Sequence, residues 1–292
     1  MKRRTSSRIV PIAALLSVAL GASGVAATAR AADTEPPPPE ASATAEARWQ
    51  TLRAHYFADR EIVAGDALLS LEAPRRAHDA AVVPIAVHAL EPGTTIEALH
   101  LIVDQNPLPL AGIFRFAEEA RGWRTLETRI RINEYTNVRA LAELADGRLA
   151  MVTRFVKASG GCSAPAMGDL DAALARAGRM QLLLDEANAA SVLPADGASP
   201  AAGEPVDAGG RAPLASATIK ISHPNNSGMQ FDQISRNYIP AFFVERIEAT
   251  VDGRPLLAVE TNFSLSEKFV STASSGRPST LASMRSTKNA GM

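Results

Sequence analysis

Two runs of strand-forming residues, Asn137 to Leu144 and Leu149 to Val156, flank Ala145-Asp146-Gly147-Arg148. Asp-Gly between such runs favours a tight turn whose twist matches paired strands, so the stretch predicts an antiparallel hairpin. Upstream, Thr125 to Ile132 alternates Leu126, Thr128, Ile130 and Ile132 with Glu127, Arg129 and Arg131. That period of two predicts one buried face and one wet face. Asp66 to Leu71, Val82 to Leu90, Ile96 to Val103 and Ile113 to Phe116 read as further strands, punctuated by Glu91-Pro92-Gly93 and Asn106-Pro107. Helical spacing is confined to Ala45 to Phe57, with Trp49, Leu52, Tyr56 and Phe57 on one side, and to a short segment after Asp169 that Gly178 ends.

Residues 190 to 215 are a low-complexity mixture of Ala, Gly, Pro, Asp and Ser and read as a linker. A second strand-rich block follows, with candidates at Ala217 to Ser222, Ala241 to Val251, Leu256 to Glu260, Phe263 to Leu265, Phe269 to Ser271 and Thr280 to Met284. Regularly spaced strands with turns between them predict an all-β chain with a β-sandwich in each block. The last candidate turn, Lys288-Asn289-Ala290-Gly291, stands one residue from the end, which leaves open whether a closing strand is missing.

The predicted hairpin runs straight into Ser159-Gly160-Gly161-Cys162-Ser163-Ala164-Pro165, which holds the chain's only cysteine. Two glycines give the thiol a pliable tether, so Gly160 and Gly161 are expected to act as the hinge of an arm. A fully extended arm from Lys157 to Pro165 would reach about 25 Å.

The first 31 residues carry a basic start, an apolar run from Ile9 to Leu20 and the small-x-small site Ala29-Arg30-Ala31. They are expected to be a signal peptide, with Arg3-Arg4 leaving the export route open. Their removal takes away five basic residues and no acid, moving the formal charge from -1 to -6. An acidic mature chain argues against nucleic acid as a partner and gives no support for an anionic membrane surface. A lone cysteine in an exported chain points to a free reactive thiol or to intermolecular pairing. Residues 32 to 44, rich in proline, are expected to be a disordered tail.

The motifs resemble the SoxYZ sulfur-carrier complex of periplasmic thiosulfate oxidation, with its two subunits fused. Asn106-Pro107-Leu108-Pro109-Leu110, Thr128 to Arg131, Val138 to Leu144 with Asp146-Gly147, and Gly160-Gly161-Cys162 follow the order of the Y subunit. Ile221-Ser222-His223-Pro224, Ser227-Gly228 and Tyr238-Ile239-Pro240-Ala241 follow that of the Z subunit. The fusion resembles carriers associated with quinoprotein dehydrogenases. The resemblance implies two immunoglobulin-like β-sandwiches packed on each other and joined by a short helix and a flexible linker. It further implies a SoxY-like domain over 45–165, helix and linker over 166–215, and a SoxZ-like domain over 216–292. It also implies a periplasmic, non-enzymatic carrier without cofactor, bearing its cargo on Cys162 and serving sulfur-oxidation enzymes or a quinoprotein dehydrogenase or cytochrome. The family's arm ends in a free Gly-Gly-Cys-Gly-Gly tail, whereas Ser163-Ala164-Pro165 continues the chain here.

Two other readings stay open on the residues alone: a binding module with an incidental thiol, and a thiol oxidoreductase, which lacks a resolving cysteine. Cys162, Met167, His223 and Met229 offer soft or imidazole donors, but no spacing supports a metal site, and a structural hydrogen-bonding role is expected for His223.

Overall fold

Asp146-Gly147 makes the turn its sequence demands: Gly147 takes φ 84°, and its N–H donates to the Leu144 carbonyl at 2.9 Å. The computed structural model describes residues 39–90, 95–120, 123–164, 170–186, 214–251, 253–266 and 284–288. Along the first half run α1 (Pro39–Phe57), β1 (Ile62–Ala64), β2 (Leu69–Glu72), β3 (Val83–Ala89), β4 (Ile96–Val103), β5 (Leu110–Phe116), β6 (Thr125–Ile130), β7 (Thr136–Leu144) and β8 (Leu149–Val156). Then come α2 (Leu170–Ala175), β9 (Arg179–Glu186), β10 (Leu214–Ser222), β11 (Phe231–Asp232), β12 (Asn237–Tyr238), β13 (Val244–Val251), β14 (Arg254–Thr261) and β15 (Met284–Lys288). The fold is all-β with few helices, as expected.

One eight-stranded sheet, ordered β1-β8-β7-β4-β5-β14-β13-β15, passes from the first half into the second. The join is β5 against β14, antiparallel, with Phe116 opposite Leu257 and Gly112 opposite Thr261. An unpaired β5 would expose a row of backbone donors and acceptors, and β14 satisfies them. The three-stranded sheet β2-β3-β6 and the pair β9-β10 complete the layers. A buried apolar cluster extends through both halves, from Leu71, Ile85 and Phe114 to Ile219, Ile247 and Val259.

Helix α1 covers part of the first half, where Trp49, Leu52 and Phe57 pack with Ile102, Leu141 and Leu149. It begins at Pro39, inside the segment expected to be a disordered tail. Proline suits a first helical turn because its missing N–H has no partner there anyway. Residues 32–38 of that tail, and the expected signal peptide, lie outside the described residues. The expected 166–215 helix-and-linker segment contains α2 but also β9, which pairs with β10 from Arg179↔Ser222 to Glu186↔Leu214. Its apolar run Leu182-Leu183-Leu184 hides the alternation that would have marked a strand. Of the linker expected over 190–215, residues 190–213 lie outside the described residues, as do Asp169 and the expected strand at Phe269 to Ser271, whereas Leu214 and Ala215 belong to β10.

β15 pairs with β13 and extends the sheet at its far edge. Phe263 to Leu265 forms only an isolated bridge, Leu265 opposite Ile130.

Candidate functional site

The chain leaves β8 and turns back on itself rather than projecting outward. Gly160 N–H donates to the Asn133 carbonyl and Gly161 N–H to the Ile132 carbonyl, both at 2.9 Å. Ile132 N–H in turn donates to the Ala80 carbonyl at 2.8 Å. Gly160 takes φ 81°. At Gly161 the constraint is space: a Cβ would stand 2.0 Å from the Ala80 oxygen. In this conformation Gly160 supplies the left-handed φ and Gly161 the close approach, in contrast to the extended arm expected.

The loop delivers Cys162 into an apolar cage between the two halves. The residue is fully buried, packed with Phe243 and Phe263, whose rings meet edge to face at 5.6 Å, and with partly buried Met229 and Ala241. Its carbonyl accepts a 2.5 Å hydrogen bond from Ser227 Oγ. Ser227 is itself held, its N–H donating to Gln230 Oε1 at 2.9 Å and its Oγ accepting from Met229 N–H at 3.1 Å. Gly228, at φ 85°, allows the Asn225 to Gln230 segment to fold over the thiol loop.

Arg131 lies on the other side of the loop, its Nη1 donating to the Gly161 carbonyl at 3.4 Å. The alternation expected Arg131 on a wet face; instead it is 3% exposed. β6 ends at Ile130, and Arg131 N–H pairs with the Ser264 carbonyl of the second half at 2.8 Å, which covers that face. Asn106 fastens the same junction. Its Nδ2 donates to the Arg131 carbonyl at 2.7 Å and to Ser264 Oγ at 3.0 Å, while its Oδ1 accepts from Asn133 N–H at 2.9 Å. Asn106 is thus a buried clamp as well as part of a turn.

Burial pushes the Cys162 thiol up to about 11, with the Arg131 cation opposing the rise. At neutral pH that leaves about one thiolate in ten thousand, against a few per cent for an exposed cysteine. The thiol in this conformation is shielded and weakly nucleophilic.

His223 Nδ1 accepts a hydrogen bond from Asn225 N–H at 3.0 Å, the structural role expected of it, and Met229 packs on Cys162, whereas Met167 lies outside the described residues. Among the described residues no group of three or more His, Cys, Asp or Glu side chains is placed to hold a metal ion. No helix among them is long and apolar enough to cross a membrane.

The halves that meet at Cys162 match two families in tandem: Sulfur oxidation protein SoxY over residues 53–162 and Sulphur oxidation protein SoxZ over residues 208–270. The chain is a fused SoxYZ-like protein. Its SoxY match ends on the cysteine itself. Among solved structures, the sulfur carrier protein SoxY from Chlorobium limicola f thiosulfatophilum is 22% identical, with 41% of this chain covering 98% of that one at a TM-score of 0.34. Two variants of superoxide reductase (neelaredoxin) from Ignicoccus hospitalis are each 13% identical, at TM-scores of 0.28 and 0.29, covering 32% and 33% of this chain and 81% and 93% of theirs. None of the curated proteins matches the chain. Arg131, Asn106 and Ser227 belong to the SoxYZ-like junction although periodicity or turn chemistry alone gave them other roles. All three stand in motifs that carried the resemblance, which was the available clue.

Proposed function

We propose that the protein is a periplasmic covalent carrier that holds a sulfur-containing group on Cys162 and presents it to partner enzymes. The observation carrying this reading is the placement of the chain's sole thiol: it ends the SoxY match and sits where the SoxY-like and SoxZ-like halves meet. The basic start, apolar run and small-x-small site of the first 31 residues support export. Loading by exchange needs no external oxidant. The Cys162 thiol loses its proton and attacks an oxidised donor sulfur; a new S–S bond forms as the donor bond breaks, and the leaving group takes the electron pair. In the buried conformation this attack is suppressed, so loading and unloading require the loop to leave its cage. The partners proposed are periplasmic sulfur-oxidation enzymes or a quinoprotein dehydrogenase with its cytochrome.

The burial of the thiol also favours a second reading, a non-covalent recruiting module in which Cys162 is a core residue. The variant Cys162→Ala separates the two. Under the carrier reading it still binds its partners but abolishes oxidation in cells; under the module reading both binding and oxidation persist.

A further inference from the structure

The seat of Cys162 is tight on both sides. Toward the first half, the Gly161 backbone lies so close to the Ala80 and Ile132 carbonyl oxygens that even a Cβ would collide with both. Toward the second half, Ser227 Oγ donates to the Cys162 carbonyl, and Phe243, Phe263, Met229 and Ala241 close around a side chain that has no exposed surface. Cys162 lines neither the groove of about 430 Å³ over β2, β3 and β6 nor the cavity of about 20 Å³ beside His223 and Ser266. A seat packed this closely fits a free thiol and resists anything larger.

The segment that closes the cage carries a cost of its own. Asn226 and Gln230 are 3% and 0% exposed, yet Asn226 Oδ1 and Gln230 Nε2 have no hydrogen-bond partner. Buried polar atoms left unpaired disfavour the state that buries them, and opening the segment to water satisfies both. Gln230 is also the residue whose Oε1 accepts from the Ser227 N–H, so the unpaired donor belongs to the latch itself. The closed cage therefore depends on the fit of the thiol, which offsets an opposing cost in the latch.

We infer that the SoxZ-like half reads the loading state of Cys162: the cage shuts over the free thiol, and a group bound to the sulfur bars the loop from returning. Resting on the carrier reading, this adds to it a display that depends on the cargo. Any bound group extends beyond a side chain already packed against Phe243 and Phe263, and an anionic group would meet an apolar wall as well. Displacing the loop releases the Gly160, Gly161 and Ser227 hydrogen bonds together, since all three fasten one three-residue stretch. A loaded carrier thus keeps its arm open to the enzyme that unloads it, and a discharged carrier hides its thiol from further exchange.

The test uses purified full-length protein and tetrathionate. The Cys162 thiol gives its proton to water and its sulfur attacks a central sulfur of tetrathionate; thiosulfate leaves with the electron pair, and a thiosulfate moiety stays joined to Cys162 through the new S–S bond. Loading is driven to completion in sub-denaturing urea, checked by intact mass, and the urea is then removed. Hydrogen exchange at the Gly160 and Gly161 amides should be at least about tenfold faster in the loaded protein than in the free thiol, with β7 and β8 unchanged and reductant restoring protection. Cys162→Ala, which removes the thiol without adding bulk, should protect both glycines as the free thiol does. Three results would overturn this: loaded protein as protected at both glycines as the free thiol, β7 and β8 exchanging faster to the same degree, or Cys162→Ala opening the loop as far as the adduct. A Cys162 that stays unmodified in cells would instead sink the carrier reading, and with it the role of this response, without altering the response to tetrathionate.

Discussion

At Gly161 an added methyl group has nowhere to go, because the Ala80 oxygen is backbone and cannot rotate aside. Gly161→Ala should push the loop out of its seat. We expect a loss of roughly 1–3 kcal/mol in urea unfolding, the range typical of an overpacked site, together with faster maleimide labelling of Cys162. Unchanged stability and labelling would mean that the loop does not occupy this seat in solution. The thiol's titration supplies a second prediction. A folded-state value near 11 lies above that of a free cysteine, so the folded protein favours the protonated thiol. Its contribution is fully present below about pH 8.5 and is lost as pH rises from there toward 11. Relative to Cys162→Ala, wild type should lose up to about 3 kcal/mol across that window, read from urea midpoints at both ends. Sequence reasoning found this cysteine and its glycines but not their burial. An irregular loop has no periodicity to assign it a face, and the cage comes from Phe243 and Phe263, some 80 to 100 residues away.

At the scale of elements, α1 is tied to the sheet by more than its apolar stripe. Arg139 Nε donates to both Asp104 carboxylate oxygens at 3.0 Å, and its guanidinium lies 4.2 Å from the centre of the Trp49 ring. Arg48 reaches the Asp104 carbonyl at 3.0 Å. Arg139→Ala would strand a buried carboxylate and release the tryptophan, so a destabilisation of about 3–5 kcal/mol is expected in chemical denaturation. Trp49 fluorescence should shift to the red as the ring becomes wet. Most strands were legible, because β3, β4, β7 and β8 coincide with apolar or alternating runs bounded by turn residues. The β1 strand and the β11–β12 pair are too short to show a period, and the partners that define them lie far away or across a tight turn. Arg131 was assigned to the wrong face because alternation reports only a strand's own pleat and cannot show that Ser264 covers the other side.

For the whole molecule, the continuous sheet changes what the fusion means. Sequence-level reasoning divides the chain into two sandwiches, but β5–β14 pairing and a shared apolar cluster make the halves one hydrogen-bonded body. A cleavage site introduced after Pro200 should therefore leave the two fragments co-eluting in size-exclusion chromatography after complete cutting. Their separation in buffer without denaturant would contradict the shared sheet. Non-local pairing of this kind is invisible to local patterns, which is why two blocks could be read but not their union. The union creates the cage, since Ser227 and both phenylalanines come from the second half and the thiol from the first. On this account the SoxZ-like half guards the thiol that the SoxY-like half supplies, and the guarded thiol is opened for covalent loading. The most direct measurement is the mass of the peptide containing Gly160-Gly161-Cys162, taken from protein isolated without reductant from cells oxidising reduced sulfur compounds. The account predicts a sulfur-containing adduct on Cys162 that reductant removes; an unmodified thiol under every growth condition would contradict it.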